Sequence, residues 1–205
     1  MVDLRTYVFL DSLQPQMASY ISSISRGFLP VTDQACCVIE IAPGIEINRL
    51  TDVALKATNV MPGLQVVERA FGILEIHSDD QGDVRRAGED ILKAIDQTEE
   101  NRIKPRILTS QLVKNLTDHH CQMINRTRYG QMLIRGDTLY ILEVESAGYA
   151  YFAANEAEKA THIKIVDVKG IGQFGRVYIA GDESDVVEAK LCIEDKLAGV
   201  SGREI

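Results

Sequence analysis

The chain has 205 residues, with 22 Lys plus Arg against 30 Asp plus Glu and a formal net charge of −8. Its 45% apolar and 25% charged residues are a globular composition, too apolar for a disordered chain. The acidic balance excludes a general nucleic-acid binder, which needs a basic face, and no apolar run approaches the ~20 residues that span a bilayer.

Thr6 to Leu10 reads as a strand, and Pro15 to Ser25 as a short helix opened by proline. Cys36 to Ile41 is apolar and β-branched, a buried strand. Ile47, Leu50, Val53, Ala54 and Ala57 recur at helical spacing. Ala70 to His77 returns to strand, and Val84, Ala87, Ile91 and Ile95 mark an amphipathic helix. A polar segment from Thr98 to Pro105 closes on a proline and reads as a linker. Beyond it the order repeats: Gln111 to Val113, Asp118 to Asn125, Tyr140 to Val144, Tyr149 to His162, Arg176 to Ala180 and Val186 to Leu197. Such short mixed units do not make a doubly wound sheet. They predict α+β domains, each a small, mostly antiparallel sheet with flanking helices.

The repetition is visible in the residues themselves. At an offset of 103 positions Leu13 meets Leu116, Gly27 meets Gly130 and Glu40 meets Glu143. Ala54, Lys56, Ala57 and Thr58 meet Ala157, Lys159, Ala160 and Thr161, and Phe71 and Gly72 meet Phe174 and Gly175. The register slips by one only after Asp79 and Asp182. Matches at one offset, on the same kinds of element, predict two tandem domains over 1–100 and 104–205.

Few residues suggest chemistry. Cys36, Cys37, Cys121 and Cys192 form no paired ligand set. Adjacent cysteines on a strand point to opposite faces, so Cys36 and Cys37 would not share a metal. His119 and His120 diverge on a helix, and no nucleophile elbow or acid–base set assembles around them. The reading is no enzyme, no metal and no cofactor. Gly170, Gly172 and Gly175 spell GxGxxG, but Arg-Val-Tyr-Ile-Ala follows, which is strand rather than helix. A dinucleotide fingerprint needs a helix there; a flexible strand-to-strand loop fits better. The matching loop of the first half carries Glu68 and Arg69, adjacent opposite charges between apolar runs, which face either solvent or a shared axis. Lys169 directly precedes the glycine loop, either a solvated lysine or added positive charge beside it. Lys56 and Lys159 occupy one helical place in both halves beside small alanines, either a solvated face or a close flat contact.

The segments Thr51–Val60 and Ala153–Ile163 resemble the signature alanine–lysine helix of bacterial microcompartment shell domains. Leu4–Gln16, Pro43–Arg49 and Val67–Gly72 narrow the likeness to the circularly permuted, double-stacking tandem shell proteins of cyanobacterial carboxysomes. The resemblance runs over nearly all of the chain. It implies a homotrimer forming a pseudohexameric disc with a central pore, discs that tile with other carboxysome shell proteins, and face-to-face stacking as a dimer of trimers. It implies a gate at Glu68 and Arg69, faced by Gly170, Ile171 and Gly172, and an edge contact at Lys56 and Lys159. It implies passage of phosphorylated metabolites such as sugar phosphates, within a cytoplasmic carboxysome shell and with no membrane partner. A rival from the residues alone is a trimeric regulatory α+β protein that binds a small ligand between subunits, its glycine loop holding an anion on backbone N–H groups.

Overall fold

The structure is a computed structural model and describes residues 2–204. It contains two four-stranded sheets built to one plan. In the first, β1 (Asp3–Leu10), β2 (Ala35–Ala42), β3 (Met61–Glu68) and β4 (Phe71–Ser78) lie in the order β1-β2-β4-β3, every pair antiparallel. In the second, β5 (Arg106–Val113), β6 (Thr138–Glu145), β7 (Lys164–Lys169) and β8 (Gly175–Gly181) repeat it as β5-β6-β8-β7. Helices α1 (Pro15–Ile24), α2 (Ile47–Ala57) and α3 (Gln81–Ala94) belong to the first half, and α4 (Asp118–Asn125), α5 (Tyr149–Ala160) and α6 (Glu183–Ala198) to the second.

Local chemistry sets most of these bounds. Pro15 opens α1, where its missing N–H costs nothing. Asp80 caps α3 by accepting from the N–H groups of Gly82 and Asp83. Alternation hardly marks β3, because Pro62 and Gly63 interrupt it. Proline is tolerated there because β3 is an edge strand. β5 begins five residues earlier than its apolar end suggests, since a half-covered edge strand carries polar residues such as Thr109 and Ser110.

Each sheet has two helices on one face and one on the other. Cys37, Ile39 and Ile41 pack with α2 and α3, whereas Cys36 and Val38 point to the α1 side. The two cysteines therefore face opposite ways, as strand alternation requires. The α1 side of the first sheet is fused with the core of the second half. Leu13, Met17, Tyr20 and Ile21 share one cluster with Tyr149, Tyr151, Ala153 and Ala154 of α5. Each large side chain buried there contributes about 1.5–3 kcal/mol.

Polar contacts fix that seam. The N–H groups of Gln16 and Met17 donate to the Glu158 carboxylate at 2.8 and 2.9 Å, and the N–H of Gln14 donates to Asn155 at 3.0 Å. The first turn of α1 thus finds its partners on α5 of the other half. Burial pushes the Glu158 carboxyl up, and the two backbone donors pull it back. Tyr20 donates to Asp167 at 2.7 Å. The connecting segment is also anchored. Arg102 donates to the carbonyls of Tyr7 and Ser201, and Tyr149 donates to the carbonyl of Ile103.

Candidate functional site

The β3–β4 and β7–β8 hairpins of the two halves come together at one end of the chain. Glu68 is the last residue of β3 and pairs with Phe71 across a two-residue turn. Arg69, in that turn, has φ +52. The equivalent residue of the second half is Gly172, with φ +110. Both turns thus put a left-handed backbone at the same place, glycine in one half and arginine in the other. An L-residue held there costs roughly 1–2 kcal/mol.

The two loops also approach each other. The Glu68 carboxylate lies 3.8 Å from where a Cβ on Gly172 would stand. Ile171 and Gly172 line a narrow crevice with Phe71, Gly72 and Ile73, and Glu40 also borders it. Gly170 lies against the Tyr151 ring, which a Cβ would meet at 2.1 Å. The candidate residues Glu68, Gly170, Ile171 and Gly172 are therefore brought together, with Arg69 beside them. Glu68 and Arg69 are exposed. Neither forms a hydrogen bond or ion pair among the described residues, so both side chains are free to turn. Lys169 ends β7 with its ammonium 3.6 Å from Asp167.

A buried ionic support lies behind the hairpin. Glu40 is 1% exposed and accepts from Arg5 Nε at 2.9 Å, Thr6 Oγ1 at 3.0 Å and the Gly148 N–H at 2.9 Å. Burial pushes its carboxyl up, and these donors oppose the shift. The Arg5 guanidinium in turn lies 3.9 Å from the centre of the Phe71 ring, a cation–π contact. Phe71 follows the turn by one residue. Sequence reasoning did not find Arg5 or Phe71 as supports. The available signal was the repeated Glu40 and Glu143 within apolar runs, since a carboxylate in a buried strand demands partners.

The repeated lysines lie apart from this cluster. Lys56 is exposed on α2 and pairs with Asp52 at 2.7 Å. Lys159 on α5 pairs with Asp11 of the first half at 2.6 Å. His119 and His120 are exposed in the first turn of α4. His77 is buried, with Nδ1 3.0 Å from Glu75, and Cys36 donates to the same carboxylate. Burial raises the Cys36 and Cys37 thiols well above their ordinary range. Among the described residues no group of three His, Cys, Asp or Glu is placed to hold a metal ion. Residues 170–174 join β7 to β8, with no helix at the glycines.

Residues 4–101 match the family described as the CsoS1D N-terminal domain. The carboxysome shell protein CcmP of Synechococcus elongatus is 51% identical over 203 residues, covering 99% of this chain and 95% of that one. The carboxysome shell protein CsoS1D of Hydrogenovibrio crunogenus is 44% identical over 204 residues, 99% of this chain and 100% of that one. Among solved structures, the fused permuted hexameric shell protein MSM0275 from the RMM microcompartment superposes with a TM-score of 0.95 at 42% identity, covering 98% of this chain and 99% of that one. The double ringed trimeric shell protein MSM0271 from the same microcompartment superposes with a TM-score of 0.96 at 37% identity, over the whole of both chains.

Proposed function

The chain belongs to the CsoS1D-like family of carboxysome shell proteins, and from that premise we propose that three copies form a ring whose central pore is gated by Glu68 and Arg69. The units 1–100 and 104–205 alternate around the axis, so three charged hairpin tips alternate with three glycine loops. The observation that carries this reading is the contact between the Glu68 tip and Gly172, which places the two kinds of loop side by side at one end of the chain.

The physics of such a ring supplies a gate. Three like charges at one axis repel, and each Arg69 pairing with a Glu68 lowers that repulsion when the pore is shut. Turning the arginines into the lumen changes both width and field. A positive rim concentrates anions, which suits sugar phosphates and other phosphorylated metabolites. A short loop with two arrangements is sufficient, and no bond is made or broken. The chain acts as a wall component rather than an enzyme. Lys56 and Lys159 serve contacts at unit edges. Face-to-face stacking of two rings is supported by apolar loops exposed at the same place in both halves: Leu29 and Val31 in one, Met132 and Ile134 in the other.

Electron microscopy and high-resolution structures of the purified protein test this. Flat sheets or stacked discs are expected. Glu68→Ala and Arg69→Ala should leave the ring intact and hold the pore at one width. Isolated particles with saturable binding of one ligand would support a regulatory protein instead, and loss of the ring in either variant would assign these residues to folding.

A further inference from the structure

We propose that Tyr151 positions the glycine loop according to the charge on a buried pair, Glu75 and His77, so that a proton bound there moves the loop. The inference rests on the gate proposed above and names what regulates it. Its warrant is one buried carboxylate oxygen and one buried hydroxyl that both lack a partner.

Glu75 and His77 lie on β4 at 1% and 2% exposure. Strand alternation places them with Ile73, on the side that packs with α1 and α5. His77 Nδ1 is 3.0 Å from Glu75 Oε1, and the Cys36 thiol donates to the same oxygen at 3.3 Å. Glu75 Oε2 is buried with no hydrogen-bond partner among the described residues, and so is the Tyr151 hydroxyl. Tyr151 shares a core cluster with Cys36, Leu64 and Ile73, which surround Glu75 on the sheet. Burial pushes the Tyr151 hydroxyl up, and Glu75 is the charged neighbour that adds most to the shift.

The other carboxylates facing that hydroxyl are already satisfied. Asp167 from β7 accepts from Tyr20 of α1 at 2.7 Å and has the Lys169 ammonium 3.6 Å away. Glu40 from β2 accepts from Arg5, Thr6 and Gly148. The edge strand β3 brings Leu64 opposite Glu75. Glu75 therefore depends on His77 for a cation. Histidine ordinarily changes charge between about pH 5 and 8. A protonated His77 makes the pair neutral. A neutral His77 leaves a buried negative charge with an open oxygen, and such an acceptor demands a donor. The Tyr151 hydroxyl is the free donor in the same core.

The tyrosine ring connects this pair to the loop. It fills the space that a side chain on Gly170 would need, and Ile171 packs on the same core. With the pair neutral, the ring rests against Gly170. With the pair negative, the hydroxyl turns to Glu75 and the ring leaves Gly170. The loop, which continues to Gly172 beside Glu68, then loses its support. Two arrangements of one buried side chain are enough for such a switch.

A reporter on the loop tests this. Cys192→Ser removes the one partly exposed cysteine. Gln173→Cys, at an exposed loop position, then carries a trifluoromethyl label whose fluorine resonance is followed from about pH 5 to 8. A titration step is expected. His77→Gln should hold the signal at its high-pH position. Tyr151→Phe, which loses only an unpartnered hydroxyl, should hold it at its low-pH position. Circular dichroism checks each fold. A parent protein without the step, or a folded Tyr151→Phe or His77→Gln that keeps it, would overturn the coupling. Tyr151→Phe decides alone where His77→Gln does not fold. The pair and the loop lie within one chain, so the step is readable without a ring. A monomer by native mass spectrometry that shows the step and loses it in Tyr151→Phe would support the coupling and overturn the ring alone.

Discussion

The Glu68 carboxylate approaches Gly172 across the junction of the two halves, 3.8 Å from where a Cβ on the glycine would stand. The two residues are far apart in the chain and belong to hairpins of different sheets. A Cβ on Gly172 would meet Glu68 only at ordinary contact distance, so the backbone is what favours glycine there: φ +110 would strain any side chain.

Substitution of Gly172 should therefore have a graded effect. Gly172→Ala is expected to lose about 1 kcal/mol through backbone strain. Gly172→Asp should lose more, because a second carboxylate is placed beside Glu68. Urea midpoints of the two variants against wild type measure the order, and an alanine variant as stable as wild type would refute the strain argument.

Arg69 has φ +52, which a glycine adopts freely. Arg69→Gly relieves roughly 1–2 kcal/mol of steric cost and adds about 0.5–1 kcal/mol of unfolded-chain entropy. The expected result is a melting temperature equal to or above wild type. Arg69→Val should fall below it, since a β-branched residue resists the left-handed region. A melting temperature below wild type for Arg69→Gly would refute the strain argument.

Glu40 supports the hairpin through Arg5 and Phe71. Glu40→Ala strands a buried guanidinium and frees the donors of Thr6 and Gly148. Breaking one side of a buried pair costs about 3–5 kcal/mol, so thermal unfolding should begin well below wild type. A loss under about 1 kcal/mol would show that water replaces the carboxylate.

The Asp11–Lys159 pair gives the seam a dependence on pH. The hydrogen bond from Lys159 holds the Asp11 carboxyl below its usual range. A depressed carboxyl stabilises the fold above its unfolded value of 3.8 and loses that contribution as pH falls through the lower folded value. Both groups are partly exposed, so the contribution is under about 1 kcal/mol. Urea midpoints at pH 5 and pH 2.5 should converge for wild type and Asp11→Asn as the pH drops. Curves that stay parallel would show that the pair contributes nothing.

Much of this was legible in the chain. Apolar, β-branched runs marked the central strands β2, β4, β6 and β8, whose residues are mostly buried, and period-3.6 patterns marked the longer helices, because one side of each is buried. The edge strands were less visible. β3 carries Pro62 and Gly63, and β5 carries Thr109 and Ser110, so their pairing partners define them better than their own pattern does. Of the site, the charged turn and the glycine loop stood out by composition. The buried support did not, since Arg5, Glu40 and Phe71 are distant in sequence and each reads as an ordinary residue in its own strand.

The amino-acid order by itself determined the duplication, the order of the helices and central strands and the opposite facing of Cys36 and Cys37, because each follows from spacing along the chain. Only the tertiary structure decided that α1 packs on α5 of the other half, that Glu40 gathers Arg5, Thr6 and Gly148, and that Glu68 meets Gly172. Those contacts join residues tens to more than a hundred positions apart. Their energy comes from desolvation and complementary shape, and no local period records either.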